Sequence, residues 1–555
     1  MSDSESRLSL IPLGGLGEFG MNSLLLEYGD SALLIDAGMM FPEPNMFGVD
    51  FVLPDFSYLR RMRTTLRGIV LTHGHEDHAG AIAHVLQHVS APVFGSDLTL
   101  ELARSRLQEY GLHLDADLRR VQSGSVISLG PFRVEFLSVS HSIPGTFALA
   151  IHTPAGVIVH TADFKVDTTP QATGTFEIGR LAELGNRGVL LLLSDSTNAE
   201  VPGWTPPERS IRPKLEELFH RTRGRLIAAT FASSLYRIQQ LIELAAEHGR
   251  YIAFTGRSLV ENVKVASELG YLWLPANLTV DVRKVNELPP EKVLLLTTGS
   301  QGEAFSALWL LGNGSHPHLS IQEGDTVVIS ARVIPGHEKE VAALANHLSR
   351  RGAEVLYGNQ SGIHVSGHGS QEDLRMMLAL TRPRYFIPIH GEYRQLRQHA
   401  RLAAEMAIPS ENILLIEDGQ RVEVTPERCE VVGEVPIGRV LVDGRLLEGL
   451  DEVVLRDRRQ LSRDGMVIVV VVLNRQTGEI EGGPDIVTRG FLAAEDEKTL
   501  LDEARNQVRA VLRSLNSEEL ADEETVQESI RLALRRYFKR TTDRRPILVP
   551  IVLDV

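Results

Sequence analysis

Cysteine is nearly absent: Cys429 is the only one in 555 residues. No intrachain disulfide is possible, and a thiolate zinc site, which needs several cysteines, is excluded. A reducing compartment fits this usage. Long apolar runs are missing too. The longest, Met466 to Leu473, falls far short of the roughly 20 residues that span a bilayer and reads as a buried strand. The polar start, Met1-Ser2-Asp3-Ser4-Glu5-Ser6-Arg7, lacks the apolar segment of a signal peptide, so the expected location is cytoplasmic, without membrane association. Positive charge is in deficit, with a net charge of −15, which argues against a broad nucleic-acid-coating surface but leaves room for a local basic groove or a metal site facing phosphate. Repeats and low-complexity tracts are absent. What remains, 43% hydrophobic and 23% charged, is ordinary for a globular chain long enough to hold several cores.

The first 200 residues alternate apolar strands with Gly and Pro punctuation, and polar residues begin where the strands end. Ser31 to Ile35 leads to Asp36, Gly68 to Thr72 to His73, Phe132 to Val139 to His141, and Val157 to Val159 to His160 and Asp163; Val189 to Leu193 leads to Ser194-Asp195-Ser196. Polar loops at strand ends are a common way of building a site on a rigid sheet. From about Pro206, helical stretches (Arg212 to Arg223, Tyr236 to His248) alternate with short apolar strands (Leu226 to Thr230, Tyr251 to Phe254, Val293 to Thr297, Thr326 to Ser330), the pattern of parallel βαβ units. Near Gly362 the chain returns to a His-rich loop, and Arg384 to His390 is again a strand ending in histidine. The second α/β domain therefore reads as an insertion into the first. The expected division is 1–205 and 363–430 for the first domain, 206–362 for the insertion, 431–463 for a linker and 464–555 for a C-terminal unit.

The strongest chemical signal is Thr72-His73-Gly74-His75-Glu76-Asp77-His78, three imidazoles and a carboxylate directly after a buried strand. A loop running into a helix start can aim His73 and His75 at one metal and Asp77 and His78 at a second; neutral imidazole and carboxylate suit Zn²⁺ and also Mn²⁺. His141, Asp163 and His390 complete two shells: His73, His75 and His141 on one ion, Asp77, His78 and His390 on the other, with Asp163 bridging. Two such ions can activate water and stabilise an in-line displacement at phosphorus. Gly15-Leu16-Gly17-Glu18-Phe19-Gly20 superficially resembles a dinucleotide fingerprint, but no βαβ unit of the right form follows, so no nucleotide cofactor is expected.

The His-x-His-x-Asp-His motif, with Asp36, His141 and Asp163, resembles the metallo-β-lactamase superfamily, and the insertion resembles its β-CASP branch, found in nucleases. Asp195 in Ser194 to Asn198, His368 in His364-Val365-Ser366-Gly367-His368 and His390 in Pro388 to Glu392 match that branch's motifs A, B and C. Leu13 to Asn22, Thr297 to Glu303 and the C-terminal unit resemble bacterial ribonuclease J. The resemblance implies an αββα sandwich interrupted by a β-CASP α/β domain, with a small α+β C-terminal domain. It also implies a two-metal ribonuclease acting 5′-to-3′ from 5′-monophosphate ends, with some internal cleavage, in RNA decay and maturation. The expected cofactors are two divalent ions, Zn²⁺ first, with Mn²⁺ or Mg²⁺ as alternatives. The expected partners are the RNA substrate, a second copy bound through the C-terminal domain, and other RNA-decay proteins.

Asp36 is expected to orient a ligand histidine. His368 is expected to stabilise the scissile phosphate or protonate the leaving oxygen, with Asp195 fixing its tautomer. Small residues and hydroxyls suit a terminal phosphate, so Ser233, Ser234, Arg257, His364, Val365, Ser366, Gly367 and His368 are candidates for RNA binding. Ser234 stands where the family more often has Asn, and His337 where Gly-Asn-Glu is usual. Competing readings are another β-CASP nuclease acting on DNA or RNA 3′ ends, a small-molecule metallohydrolase, and a non-catalytic RNA-binding paralogue. The insertion, the C-terminal unit and the full ligand set weigh against them.

Overall fold

Apolar strands with both faces covered dominate the first half of the chain, and they stack into two sheets. In this computed structural model residues 7–554 are described, apart from 44, 170–174, 335, 359–361, 445–449, 451, 475–476, 478 and 493–496. The chain divides into two units, residues 1–40 with 53–439, and residues 41–52 with 440–555.

In the first unit, an eight-stranded sheet runs in the order Cys429–Glu434, Gln420–Val424, Leu8–Gly14, Ser23–Tyr28, Ser31–Ile35, Thr65–Val70, Val93–Gly95, Leu118–Arg120. A six-stranded sheet runs Tyr385–Ile389, Leu191–Asp195, Gly156–His160, Phe147–Thr153, Phe132–Ser138, Val126–Leu129. Leu10, Leu33 and Ile35 of one sheet and Phe132, Phe136, Leu149 and Leu191 of the other are in one buried cluster between them. On the outer face of the six-stranded sheet, Leu192 and Phe386 meet Leu181, Leu374 and Leu402 of helices Ile178–Arg187, Gln371–Thr381 and Tyr393–Glu405. The first sheet continues through Cys429–Glu434, so it extends past residue 430, where the linker was expected to begin.

The insertion enters after Leu191–Asp195 and leaves before Tyr385–Ile389, and these two strands are parallel neighbours with Asp195 beside Ile389. The whole insertion is thus one crossover connection, and it delivers Asp195 and His390 to the same sheet edge. Its five strands, Tyr251–Thr255, Val293–Thr297, Leu226–Ala229, Thr326–Ile329 and Glu354–Leu356, are all parallel; the three inner ones are buried on both faces, and the edge strand Glu354–Leu356 is exposed to half-buried. The loops at their C-terminal ends line one edge, where ligands bind in open parallel sheets.

In the second unit, Met466–Leu473 is the central strand between Ile480–Arg489 and Ile547–Asp554. Alternate residues Val467, Val469, Val471 and Leu473 pack on helices Glu497–Ser514 and Glu523–Thr542. The segment before residue 53 joins this unit through Arg458, whose guanidinium donates to the carbonyls of Phe47 (3.2 Å) and Gly48 (3.1 Å). Nothing in the sequence pattern announced that segment's allegiance.

Candidate metal centre and phosphate pocket

Strand ends converge on one point. The loop after Thr65–Val70 carries His73, His75, Asp77 and His78; the ends of Phe132–Ser138 and Gly156–His160 carry His141 and Asp163, and the end of Tyr385–Ile389 carries His390. Backbone strain marks the site: Asp36 (φ 61°), Ala162 (φ 52°) and His390 (φ 57°) occupy the left-handed region, uncommon for residues with a side chain. Gly38 is required for closeness, because a Cβ there would lie 1.7 Å from the Asp77 carbonyl oxygen.

The donor atoms form two groups that share Asp163. His73, His75 and His141 form one group with it, and Asp77, His78 and His390 the other; within each group the ligand atoms all lie within 4.8 Å of one another. His73 Nε2 and His141 Nε2 are each 3.6 Å from Asp163 Oδ2. His78 Nε2 is 3.3 Å and His390 Nε2 3.6 Å from Asp163 Oδ1. Oδ1 is buried yet accepts no well-formed hydrogen bond among the described residues. A buried carboxylate oxygen ringed by ring nitrogens is a costly arrangement unless a cation fills the space between them.

The outer partners of His141 and His78 fix which nitrogen of those rings faces inward. The Gly367 carbonyl can only accept, so His141 Nδ1 carries the proton it donates (2.9 Å) and Nε2 presents a lone pair. Asp36 Oδ2 likewise takes the Nδ1 proton of His78 (2.7 Å). Asp36 also accepts from the Thr72 amide (2.7 Å) and hydroxyl (2.9 Å), and that hydroxyl lies 3.1 Å from His73 Nδ1. His390 Nδ1 lies 2.7 Å from Thr197 Oγ1. Asn22 Nδ2 donates to the Asp77 carbonyl (3.0 Å). Lone-pair donors with fixed tautomers fit divalent cations of the zinc type.

Burial, reinforced by neighbouring imidazoles, holds His73 well below the usual histidine range. It also holds His141 low and brings His75 to about 4. Burial acts the same way on His78 and His390, but carboxylates headed by Asp163 outweigh it and hold both well above that range. Despite burial, histidine partners keep Asp77, Asp163 and Asp195 below the carboxylate range.

His368 stands beside this centre. Its Nδ1–H donates to Asp195 Oδ2 (2.8 Å), leaving Nε2 free, and Asp195 with Asp163 raises its pKa against the effect of burial. The loop from His364 to His368 continues into a second pocket. Arg237 donates to His364 Nδ1 (2.8 Å), and because Arg has no acceptor the ring proton of neutral His364 sits on Nε2. Asn198 Nδ2 donates to Ser366 Oγ (2.8 Å) and to the His368 carbonyl (2.9 Å).

Ser233, Ser234 and Arg257 lie on the same sheet edge, but no hydrogen bond joins them to His364 or Ser366 among the described residues. Ser234 is buried at the start of helix Leu235–Glu247 and Arg257 is exposed at the start of Arg257–Glu268. Val365 is buried, and its carbonyl accepts from Arg237 (3.0 Å). Gly367 packs so closely that a Cβ would lie 2.7 Å from His141 Cε1. Sequence reasoning missed Asn22, Thr197, Asn198, Glu208 and Arg237 as supports; the quoted motifs contained Asn22, Thr197 and Asn198, but nothing local marked their partners.

Residues 16–169 match the metallo-beta-lactamase superfamily, 223–348 the ribonuclease J beta-CASP domain, 352–413 the Zn-dependent metallo-hydrolase RNA specificity domain, and 453–555 the ribonuclease J C-terminal domain. The chain is 40% identical to ribonuclease J2 of Bacillus subtilis over 98% of both chains. It is 45% identical to ribonuclease J of Synechocystis over 89% of this chain and 77% of that one. It is 38% identical to ribonuclease J 1 of Streptococcus pyogenes over 99% of this chain and 98% of that one. A solved structure from Enterococcus faecalis, titled a protein of unknown function, shares the fold at a TM-score of 0.53 and 16% identity, covering 75% of this chain and all of that one. Among the described residues no helix is long and apolar enough to cross a membrane. With a paired His/Asp donor set on a metallo-β-lactamase sandwich, a β-CASP insertion and near full-length relatives, the chain belongs to the ribonuclease J family and is a metal-dependent hydrolytic ribonuclease.

Proposed function

We propose that the chain degrades RNA 5′-to-3′ from 5′-monophosphate ends, with internal cleavage as a second activity, in RNA decay and maturation. One observation carries this reading. A single loop, His364 to His368, bears the pocket hydroxyl of Ser366 at one point and, two residues on, the imidazole of His368 beside the metal centre. Five residues span at most roughly 14 Å between their end Cα atoms. An RNA end seated at His364 and Ser366 therefore places a bond only a short distance downstream beside His368, so cleavage from the end releases short units, most simply single nucleotides.

His73, His75 and His141 would hold one divalent ion and Asp77, His78 and His390 a second, with Asp163 shared; Zn²⁺ suits the donors best, with Mn²⁺ or Mg²⁺ as alternatives. Bound there, such ions supply Lewis acidity toward a phosphoryl oxygen and lower the pKa of water. His368, protonated through Asp195, donates from Nε2 to the leaving oxygen or to the charge building on the phosphoryl group. Asp36 and Thr72 keep His73 and His78 in register. His364 offers its Nε2–H, and Ser366 its hydroxyl, to the terminal phosphate.

The division at 205/206 and 362/363 stands as the proposed functional one, with the first domain's sheet running on through Cys429–Glu434 before the C-terminal unit. A cytoplasmic homodimer through the C-terminal domain, working with other RNA-decay proteins, completes the reading. It is supported by the sheet face opposite the helices of that domain, where Val549, Ile551 and Leu553 are exposed beside Ile468, Val470 and Val472.

Digestion of end-labelled RNA carrying a 5′-monophosphate or a 5′-triphosphate tests the proposal. The monophosphate should disappear from its end much faster, and His364→Ala with Ser366→Ala should narrow the gap. Equal rates, with products scattered along the RNA at the earliest times, would make the enzyme mainly endonucleolytic.

A further inference from the structure

Three cations converge on the pocket of His364 and Ser366, and two are neutralised within the protein. Arg237, 2% exposed, places Nε (3.0 Å) and Nη2 (2.7 Å) on Glu208 Oε1. Lys165, fully buried, lies 3.4 Å from Glu208 Oε2, and Asp167 adds a second negative charge beside it. The third is Arg332, in the loop that follows strand Thr326–Ile329 at the C-terminal edge of the insertion's sheet. Arg332 is exposed, and among the described residues its guanidinium pairs with no carboxylate. Its one side-chain hydrogen bond runs from Nη1 to Asn198 Oδ1 (2.8 Å), a neutral acceptor.

The placement is not casual. Asn198 is the residue whose amide holds Ser366 Oγ and the His368 carbonyl, so one neutral bridge links the Arg332 guanidinium to the middle and the far end of the loop. The backbone on either side is clamped by buried Gln301, which donates to the Arg332 carbonyl (2.9 Å) and accepts from the Ile334 amide (2.7 Å). Arg332 also bears electrostatically on His364, which burial first, then Arg237 and Arg332, push down to about 2. With His364 neutral and Arg237 matched by Glu208, the pocket offers one uncompensated positive charge among the described residues.

We infer that Arg332 contacts the terminal phosphate of the RNA and makes this pocket select for charge at the 5′ end. The inference rests on the end-recognition reading above and adds the group that discriminates a 5′-phosphate from a 5′-hydroxyl. Ser366 and His364 supply neutral hydrogen bonds that either end can engage in part; a guanidinium distinguishes a phosphate from its absence, and its planar fork matches two phosphate oxygens.

The test measures kcat/KM of the metal-loaded enzyme on one RNA sequence bearing a 5′-monophosphate or a 5′-hydroxyl, for wild type, Arg332→Gln and Arg332→Lys. Arg332→Gln should lower kcat/KM on the monophosphate roughly 10- to 100-fold, the size of one charge-assisted hydrogen bond, and leave the hydroxyl substrate within about threefold. Arg332→Lys should recover part of the loss. Equal losses on both substrates would make Arg332 a support for Asn198 rather than a phosphate contact. An undiminished preference in Arg332→Gln would overturn the assignment while leaving end recognition standing. A wild type with no preference for the monophosphate would overturn end recognition itself, and this inference with it.

Discussion

The candidate metal centre and the proposed phosphate pocket stand at two ends of one loop, and they are built in opposite ways. Four of the seven metal-centre donors come from six consecutive residues, His73 to His78, and the rest from the ends of neighbouring strands of one sandwich. The pocket is assembled from single residues scattered over the insertion and the sandwich: Asn198, Glu208, Arg237, Arg332, His364 and Ser366. The first is charge-rich and suited to a cation, as Asp163 Oδ1, buried among imidazoles without a well-formed hydrogen bond, shows. The second is satisfied internally and, among the described residues, presents one spare charge. Chemistry that needs a fixed ion is encoded locally and rigidly; the proposed recognition of an RNA end is encoded by tertiary convergence.

That contrast also explains what the sequence made legible. His-x-His-x-Asp-His announces itself because ligand spacing is a local property, and Met466–Leu473 was delimited to the residue because an unbroken apolar run has no other reading. The insertion was legible because strand–helix alternation has a period. Arg237 and Glu208 were not, since a buried ion pair 29 residues apart looks on paper like two surface charges. Arg332 carries no local signal at all: its meaning depends on Asn198, 134 residues earlier.

The sharpest way to break the comparison is to remove the group both metal shells share. Asp163→Ala should abolish activity by roughly 10⁴-fold and reduce metal content at both sites, because each of its oxygens faces a separate set of histidines. Asp77→Ala should chiefly weaken one. Elemental analysis of the purified proteins decides; full metal content in Asp163→Ala would mean the two groups are not bridged.

The pocket should answer to a different loss. Glu208 is 5% exposed and faces both Arg237 and Lys165. Glu208→Gln strands two buried cations and should cost about 3–5 kcal/mol of stability, read by thermal or denaturant unfolding, with metal content of the folded protein unchanged. Metal loss at unaltered stability would show that the pocket and the metal centre are one cooperative structure rather than two.

Between them lies His368, tied to the metal side by Asp195 and to the pocket by its carbonyl. His368→Ala should slow hydrolysis on the order of 10²–10³-fold while leaving metal content and much of the RNA affinity intact. Loss of metal in that variant would reassign His368 as a ligand, a reading open to it because Asp163, Asp195, His368 and His390 also lie close enough to share an ion.

The smallest effect concerns a carboxylate that the comparison leaves out. Asp77, Asp163 and Asp195 are buried among histidines and held low, whereas Asp418 has burial and Glu18 against it and is pushed up to about 7. It accepts from the Leu16 amide (3.2 Å), and Leu16–Gly17 pairs with Gly391–Glu392, directly after His390. A carboxyl whose folded pKa is raised favours its protonated form in the folded state. It therefore costs nothing below its unfolded pKa of roughly 4, and destabilises progressively until about pH 7, where the cost is complete. Three pKa units correspond to at most about 4 kcal/mol, and partial exposure reduces this to roughly 1–2 kcal/mol. Asp418→Asn keeps an acceptor for Leu16 and removes the charge. It should raise Tm by a few degrees at pH 8, and the advantage over wild type should fade as both are moved toward pH 4. A difference in Tm that is the same at both pH values would show that Asp418 is not carrying an unmatched charge, and that the strand beside His390 is held by packing alone.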